Sequence, residues 1–195
     1  KTFNNLAGKL DYSMENATWG KRCGNSLTTG TKNFLAGTES GSRLTTGERN
    51  VFIGYYAGNN TQEGSYNIAI GNEALKINSN DPFLNNYIAI GNRAGHDVEA
   101  SASTTNSEFA GIFIGTAAGY HGPSGIAIGD SASNQYSDYR NIAIGVWAMK
   151  DNTAGTLDIG IGYKALMGNT TGQYNLALGH FALIDNTTGT FNIAI

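Results

Sequence analysis

The stretch Asn67–Gly71, "NIAIG", returns unchanged at Asn141–Gly145 and with small exchanges as "YIAIG" at Tyr87–Gly91 and "NLALG" at Asn175–Gly179. It holds no nucleophile, acid or metal ligand, and a phrase repeated this often reads as architecture. Aligned on its glycine, the phrase falls at Gly20, Gly37, Gly54, Gly71, Gly91, Gly115, Gly129, Gly145, Gly162 and Gly179, with an eleventh copy begun at Asn192. The steps are 17, 17, 17, 20, 24, 14, 16, 17 and 17 residues. A second landmark lies between the phrases: "TTG" at Thr28–Gly30, Thr45–Gly47, Thr170–Gly172 and Thr187–Gly189, and "TAG" at Thr153–Gly155. In each case Asn33, Asn50, Asn175, Asn192 or Asp158 follows the glycine by three positions. The unit is N-h-A-I-G-x-x-A-L-x-x-N-T-T-G-x-x, with h apolar.

Each unit holds two short apolar pieces separated by Gly, Asn and Thr, too short for helix but suited to strand, with turn residues between them. Two short strands and two turns per unit of about 17 residues describe one coil of a solenoid. The expected fold is all-β, a parallel β-solenoid of about ten coils, each paired with the coils above and below at about 4.8 Å. Strand alternation puts Ile68 and Ile70 on one face and Ala69 on the other. Placing Ile inside sends the alanine column outward, and Ala69, Ala89, Ala127, Ala143 and Ala177 are then candidates for close approach of a sister chain; a thin-walled monomer is the alternative. Asn33, Asn50, Asn67, Asn141 and Asn175 are expected to stack as amide ladders, and Gly54, Gly71, Gly91, Gly145, Gly162 and Gly179 to make the bend.

Composition narrows the function classes. Among 195 residues there are 27 Gly, 14% charged residues and a net charge of −3, so no phosphate backbone is attracted and no nucleic acid is an expected partner. No apolar run approaches the roughly 20 residues of a membrane helix, so no membrane insertion is expected. Cys23 stands alone. Residues 1–15 read as an entry or capping segment and 16–195 as the repeat array, and both ends read as edges of a longer chain. The long steps place insertions at Ile77–Asn86 and His96–Gly111, which solenoids carry as loops on one flank.

"NIAIGNEAL", "NIAIGVWAM" and "GIGYKALMGNTTGQYNLALGHFAL" resemble the head repeats of trimeric autotransporter adhesins of the YadA type. They are still more similar to the related repeats in tail fibres of phages and of contractile injection systems. The resemblance covers roughly Asn16 to Ile195 and is strongest over Asp158–Ile195. It implies a left-handed β-roll, a homotrimer and attachment to a cell surface. Adhesin heads mostly use units nearer 14 residues, so the prevailing 17 favours the fibre branch.

Few motifs in the chain carry chemistry. "GIGYKA" at Gly160–Ala165 imitates a dinucleotide fingerprint but reads as one repeat. His96, His121 and His180 lack metal-ligand spacing and read as surface or loop histidines. Asp97, Glu99 and Glu108 are sparse for glycoside hydrolysis. Sequons at Asn16, Asn59, Asn169 and Asn186 need no glycan, the last two arising from the "NTT" turn itself. No cofactor and no metal is expected. The two residues after each phrase glycine vary freely, which implies exposure, and Tyr55, Tyr56, Trp147, Tyr163, His180 and Phe181 are candidate receptor contacts. Packing against the next coil or a neighbouring chain is the alternative. The expected function is a non-enzymatic, extracellular trimeric tail-fibre or adhesin segment of a virion, an injection particle or a cell surface. Its expected partners are itself, other fibre or baseplate proteins, and a host-cell surface glycan or protein. The alternatives are a purely structural extracellular filament and, less favoured, a polysaccharide-degrading tailspike.

Overall fold

A computed structural model describes residues 9–11, 13–78, 84–98, 110–121, 125–133 and 140–195. The two insertions fall largely outside these residues, as do Glu99 and Glu108.

The chain is an all-β, parallel β-solenoid. A short first strand, β1 (Lys9–Asp11), pairs antiparallel with β2 (Asn16–Trp19). From there each strand pairs parallel with the next in chain order: β3 (Phe34–Ala36), β4 (Val51–Ile53), β5 (Ile68–Ile70), β6 (Ile88–Ile90), β7 (Gly111–Ile114), β8 (Gly125–Ile128), β9 (Asn141–Ile144), β10 (Ile159–Ile161), β11 (Leu176–Leu178) and β12 (Ile193–Ala194). The register never slips: Ile68 faces Ile88, Ala69 faces Ala89, Ile70 faces Ile90.

Each coil has one strand, where the sequence suggested two. The second apolar piece, such as Ala74–Leu75, forms consecutive turns. The second residue after each corner glycine takes a left-handed backbone whatever its side chain: Glu39, Tyr56, Glu73, Trp147, Lys164 and Phe181 all have φ between 53° and 63°. The fourth residue does the same, as Gly41, Gly58, Leu75, Met149 or Leu166. These reversals send N–H groups alternately to the coil below and the coil above. Tyr56 N–H donates to the Thr38 carbonyl, and Gly58 N–H to the Ala74 carbonyl, at 3.0 and 2.9 Å. Coil-to-coil bonding therefore continues around the turns without a second sheet.

The interior is the reverse of the sequence expectation. The alanine column points inward: Ala69, Ala89, Ala127, Ala143 and Ala177 are fully buried within one chain, so they face no sister chain. The isoleucines on either side point outward and are half-exposed. The coil is too narrow to stack a large residue from every position. In most layers one large side chain comes from the strand or from the facing turn. The Ala89 layer has Gly95 opposite and is filled by the Phe113 ring of the next coil, and the Ala127 layer has Ser133 opposite. Leu35, Phe52 and Phe113 are matched by Gly41, Gly58 and Gly119, whereas Ala69, Ala143, Gly160 and Ala177 are matched by Leu75, Met149, Leu166 and Leu183. A Cβ at Gly58 would lie 2.3 Å from the Phe52 ring, and one at Gly119 2.1 Å from the Phe113 ring.

The asparagine ladder forms as expected. Asn33 Nδ2 donates to Asn16 Oδ1 at 3.1 Å and to the Gly47 carbonyl at 2.9 Å, tying the coil below to the end of its own coil. Its Oδ1 accepts both the backbone N–H and the Nδ2 of Asn50, each at 3.0 Å. All four hydrogen-bonding valences of a buried amide are thus used. Asn67 repeats the pattern. The same column then holds Tyr87, Gly111 and Gly125 before resuming at Asn141.

Asp158 is the exception within the upper ladder. Its Oδ1 accepts from Asn175 N–H and Nδ2, and its Oδ2 from Asn169 Nδ2, at 2.7, 3.1 and 2.9 Å. Burial raises its pKa above the ordinary 3.8 in spite of these bonds. A carboxyl raised in the folded state costs nothing at pH values where the unfolded chain also keeps the proton. The cost grows as pH rises from 3.8 through the folded value and persists above it. Asp158→Asn supplies donors for Asn141 Oδ1 and the Gly172 carbonyl, the bonds Asn175 makes one coil above. It gives up the bond from Asn169 Nδ2, which keeps the Gly172 carbonyl as its acceptor. It is expected to stabilise the fold by about 1–2 kcal/mol at pH 7. Urea unfolding at pH 7 and pH 3.5 checks this, the gain shrinking at the lower pH; an equal gain at both would count against it.

Candidate interaction surfaces

The outward residues of the eleven parallel strands make two apolar columns on one face, aliphatic from β4 onward and carrying Trp19 and Phe34 at its start. One runs through Val51, Ile68, Ile88, Ile112 and Ile142, the other through Ile53, Ile70, Ile90, Ile114 and Ile144. Neighbours above and below cover the flanks of each side chain and leave its tip bare. Ile53, Ile90, Ile112 and Ile114 are 36 to 37% exposed. Summed along the rod, this leaves apolar surface on the order of 1,000 Å², more than the few hundred Å² a monomer ordinarily shows. No segment among the described residues covers it.

Two rims border this face. On the strand-entry side stands the residue preceding the ladder position: Glu15, Lys32, Arg49, Tyr66, Arg140, Leu157, Tyr174 and Phe191, every one exposed and left-handed, with φ between 56° and 61°. This column is not among the sites that the sequence predicts. Its signal was present as the variable residue between "TTG" and Asn, but nothing in residue type announces a left-handed backbone. On the strand-exit side stand the two residues after each corner glycine, the column that sequence variability had marked.

The exit rim brings four of the six receptor candidates together. Trp147 and Tyr163 ring centres lie 6.0 Å apart, Tyr163 stacks on His180 at 4.9 Å, and Phe181 meets Tyr163 edge-on at 5.5 Å. Lys164 Nζ sits between Trp147 and Tyr163, 4.9 and 5.4 Å from their centres. Tyr55 and Tyr56 form a separate T-shaped pair at 4.4 Å, five coils lower, with Lys76 over Tyr56. Trp147, Tyr163 and His180 follow one another along the rod with their faces turned to one another, and Phe181 stands edge-on to Tyr163 and His180. A sugar stacks on faces, and the arrangement offers few of them.

Between these groups lies a charged cluster. Glu73 receives Arg93 Nε at 2.9 Å and Lys76 Nζ at 3.0 Å. Burial opposes its ionisation, but the two cations hold its pKa below the usual carboxylate value. His96 is buried beside it, not at the surface as its sequence context suggested, with Nε2 3.6 Å from Glu73 and Nδ1 3.1 Å from Asp97. It stacks on Tyr120 at 4.9 Å. Burial pushes the His96 pKa down, and the two neighbouring carboxylates only partly offset this. Its two nitrogens face different carboxylates, a geometry that locks a ring and does not converge on an ion. Among the described residues no group of three His, Cys, Asp or Glu side chains is placed to hold a metal.

Other motifs resolve into structure. Residues 160–165 are a strand and a turn with no helix to follow. The sequon residues Asn16, Asn59 and Asn169 are buried and hydrogen-bonded. Cys23 is buried, and desolvation pushes its thiol up to about 11. No family model, no curated protein and no solved structure matches the chain.

Proposed function

We propose that the chain is a segment of a non-enzymatic, homotrimeric attachment fibre, with three copies packed through the apolar face of β2–β12. The bare apolar face carries this reading. Burying it against sister chains removes the apolar columns from water, at roughly 25 cal/mol per Å², while each solenoid keeps its own alanine-lined interior. The number three and the attachment role follow from the resemblance to adhesin heads and tail fibres. The mechanism is mechanical and multivalent: a stiff rod presents three copies of weak surface contacts, and simultaneous engagement multiplies modest affinities.

Light scattering is expected to give three times the chain mass of 20.5 kDa. Ile70→Lys with Ile144→Lys places a charge in the centre of the face while leaving the interior untouched. This variant is expected to run as a monomer with its β-type circular dichroism retained. A monomeric wild type would overturn the assembly, and long polymers would favour a self-associating filament. Retention of the trimer, but not of the double variant, on glycan arrays or intact cells tests attachment. Retention of neither leaves an assembly that binds only itself.

A further inference from the structure

We infer that the two rims are the seam between neighbouring copies, holding them in register and pointing the same way. This rests on the sheet-face association proposed above. The strands are parallel and unslipped, so each coil has one entry-rim position and one exit-rim position at the same height on opposite sides of the face. Rotation about an axis parallel to the rod brings the entry rim of one copy against the exit rim of the next, coil for coil.

The residues match at those heights. In the first coil Glu15 meets Lys21 and Arg22, and in the second Lys32 meets Glu39. Within one chain the same residues already alternate up each rim: Lys32 lies 3.8 Å from Glu15, and Arg22 lies 2.9 Å from Glu39. The order is acid below base on the entry rim and base below acid on the exit rim. Aligned rims therefore form a four-charge checkerboard. A slip of one coil sets Glu15 against Glu39 in one direction and Lys32 against Arg22 in the other. Farther along, Arg140 faces Trp147, a cation beside a ring, and Tyr174 faces His180 and Phe181. Copies pointing opposite ways would instead set the charged first coils against the aromatic last ones. Charge of this kind contributes chiefly to choice of partner and register, with the aliphatic face supplying most of the affinity. The six receptor candidates then belong to the seam: Tyr55, Tyr56, Trp147, Tyr163, His180 and Phe181 all stand on the exit rim. The face-to-face run of Trp147, Tyr163 and His180, with Phe181 set edge-on to it, suits a neighbouring chain better than it suits a sugar.

Two double inversions test this while preserving each chain's own ion pairs: E15K/K32E on the entry rim and R22E/E39R on the exit rim. Dissociation is read by sedimentation over a dilution series, in the urea concentration that half-dissociates the wild-type assembly. Each double variant is expected to dissociate at about ten-fold higher protein concentration. The quadruple variant is expected to recover most of the loss, because the four-charge checkerboard is restored with its signs exchanged and only Lys21 is left beside a like charge at position 15. Unchanged dissociation in both double variants, or a quadruple variant weaker than either, overturns the seam but leaves sheet-face association standing. A wild-type chain that is monomeric at every concentration without urea removes that association, and the seam with it.

Discussion

Phe52→Ala is expected to cost about 3–5 kcal/mol, and adding Gly58→Leu to recover most of that loss. Phe52 is fully buried and lies against the place where a Gly58 side chain would begin. Truncating the ring alone opens a void that the neighbouring coils, held by their own ladders, cannot collapse to fill. Gly58→Leu alone puts a branched side chain where the ring already is and should prevent folding of that layer. The double exchange reproduces the Ala69 and Leu75 layer one coil above, where Leu75 takes the same left-handed backbone as Gly58, with φ of 50° against 60°. Urea unfolding of the two single variants and the double variant measures the coupling directly. Additive losses would show that the two positions do not share one space.

The second large effect is at the corner. Gly71 has φ of +137°, and a Cβ there would lie 2.3 Å from the Gly91 carbonyl oxygen of the coil above. Gly71→Val meets both a backbone conformation that is nearly closed to side chains and a collision with main chain that cannot turn aside. The expected cost is above about 4 kcal/mol, among the largest single-residue effects. Thermal melting by circular dichroism checks it. A melting temperature within a few degrees of wild type would show that the corner relaxes, contrary to the packing described.

The period, the strand and the amide ladder were legible because each rests on one residue type at one spacing. Asn33, Asn50 and Asn67 sit 17 residues apart and bond as that spacing requires. The inside and outside of the strand were not legible. Alternation shows that Ile68 and Ile70 share a face, but not which face is the core. Assigning the larger residue to the interior assumes a core of ordinary width. Here the space behind the strand is narrow, and in most coils its large side chain comes either from the strand or from the fourth residue past the corner. That switch was present in the sequence as Gly41 and Gly58 against Leu75, Met149 and Leu166, yet its meaning needed the closed shape of the coil. The rims were half legible. Variation marked Tyr55, Trp147 and His180, while the left-handed column at Arg49, Tyr66 and Tyr174 carries no common chemistry. The stacking of Tyr163 between Trp147 and His180 depends on which way rings lean from a left-handed backbone, and spacing does not encode that.

The interruption of the amide column bears on how a rod of this kind takes tension. Hydrogen bonds between coils lie along the long axis, so a pull on the two ends loads every junction in series, and the whole is as strong as its poorest junction. Below Asn67 and above Asn141 each junction adds amide bonds to those of the main chain. Between them the column offers only a tyrosine and two glycines, at Tyr87, Gly111 and Gly125. The Tyr87 and Phe113 rings, 6.1 Å apart and tilted, hold the middle by dispersion instead. Among the described residues the amide reinforcement is thus graded along the rod, present toward both ends and missing from this column at its centre.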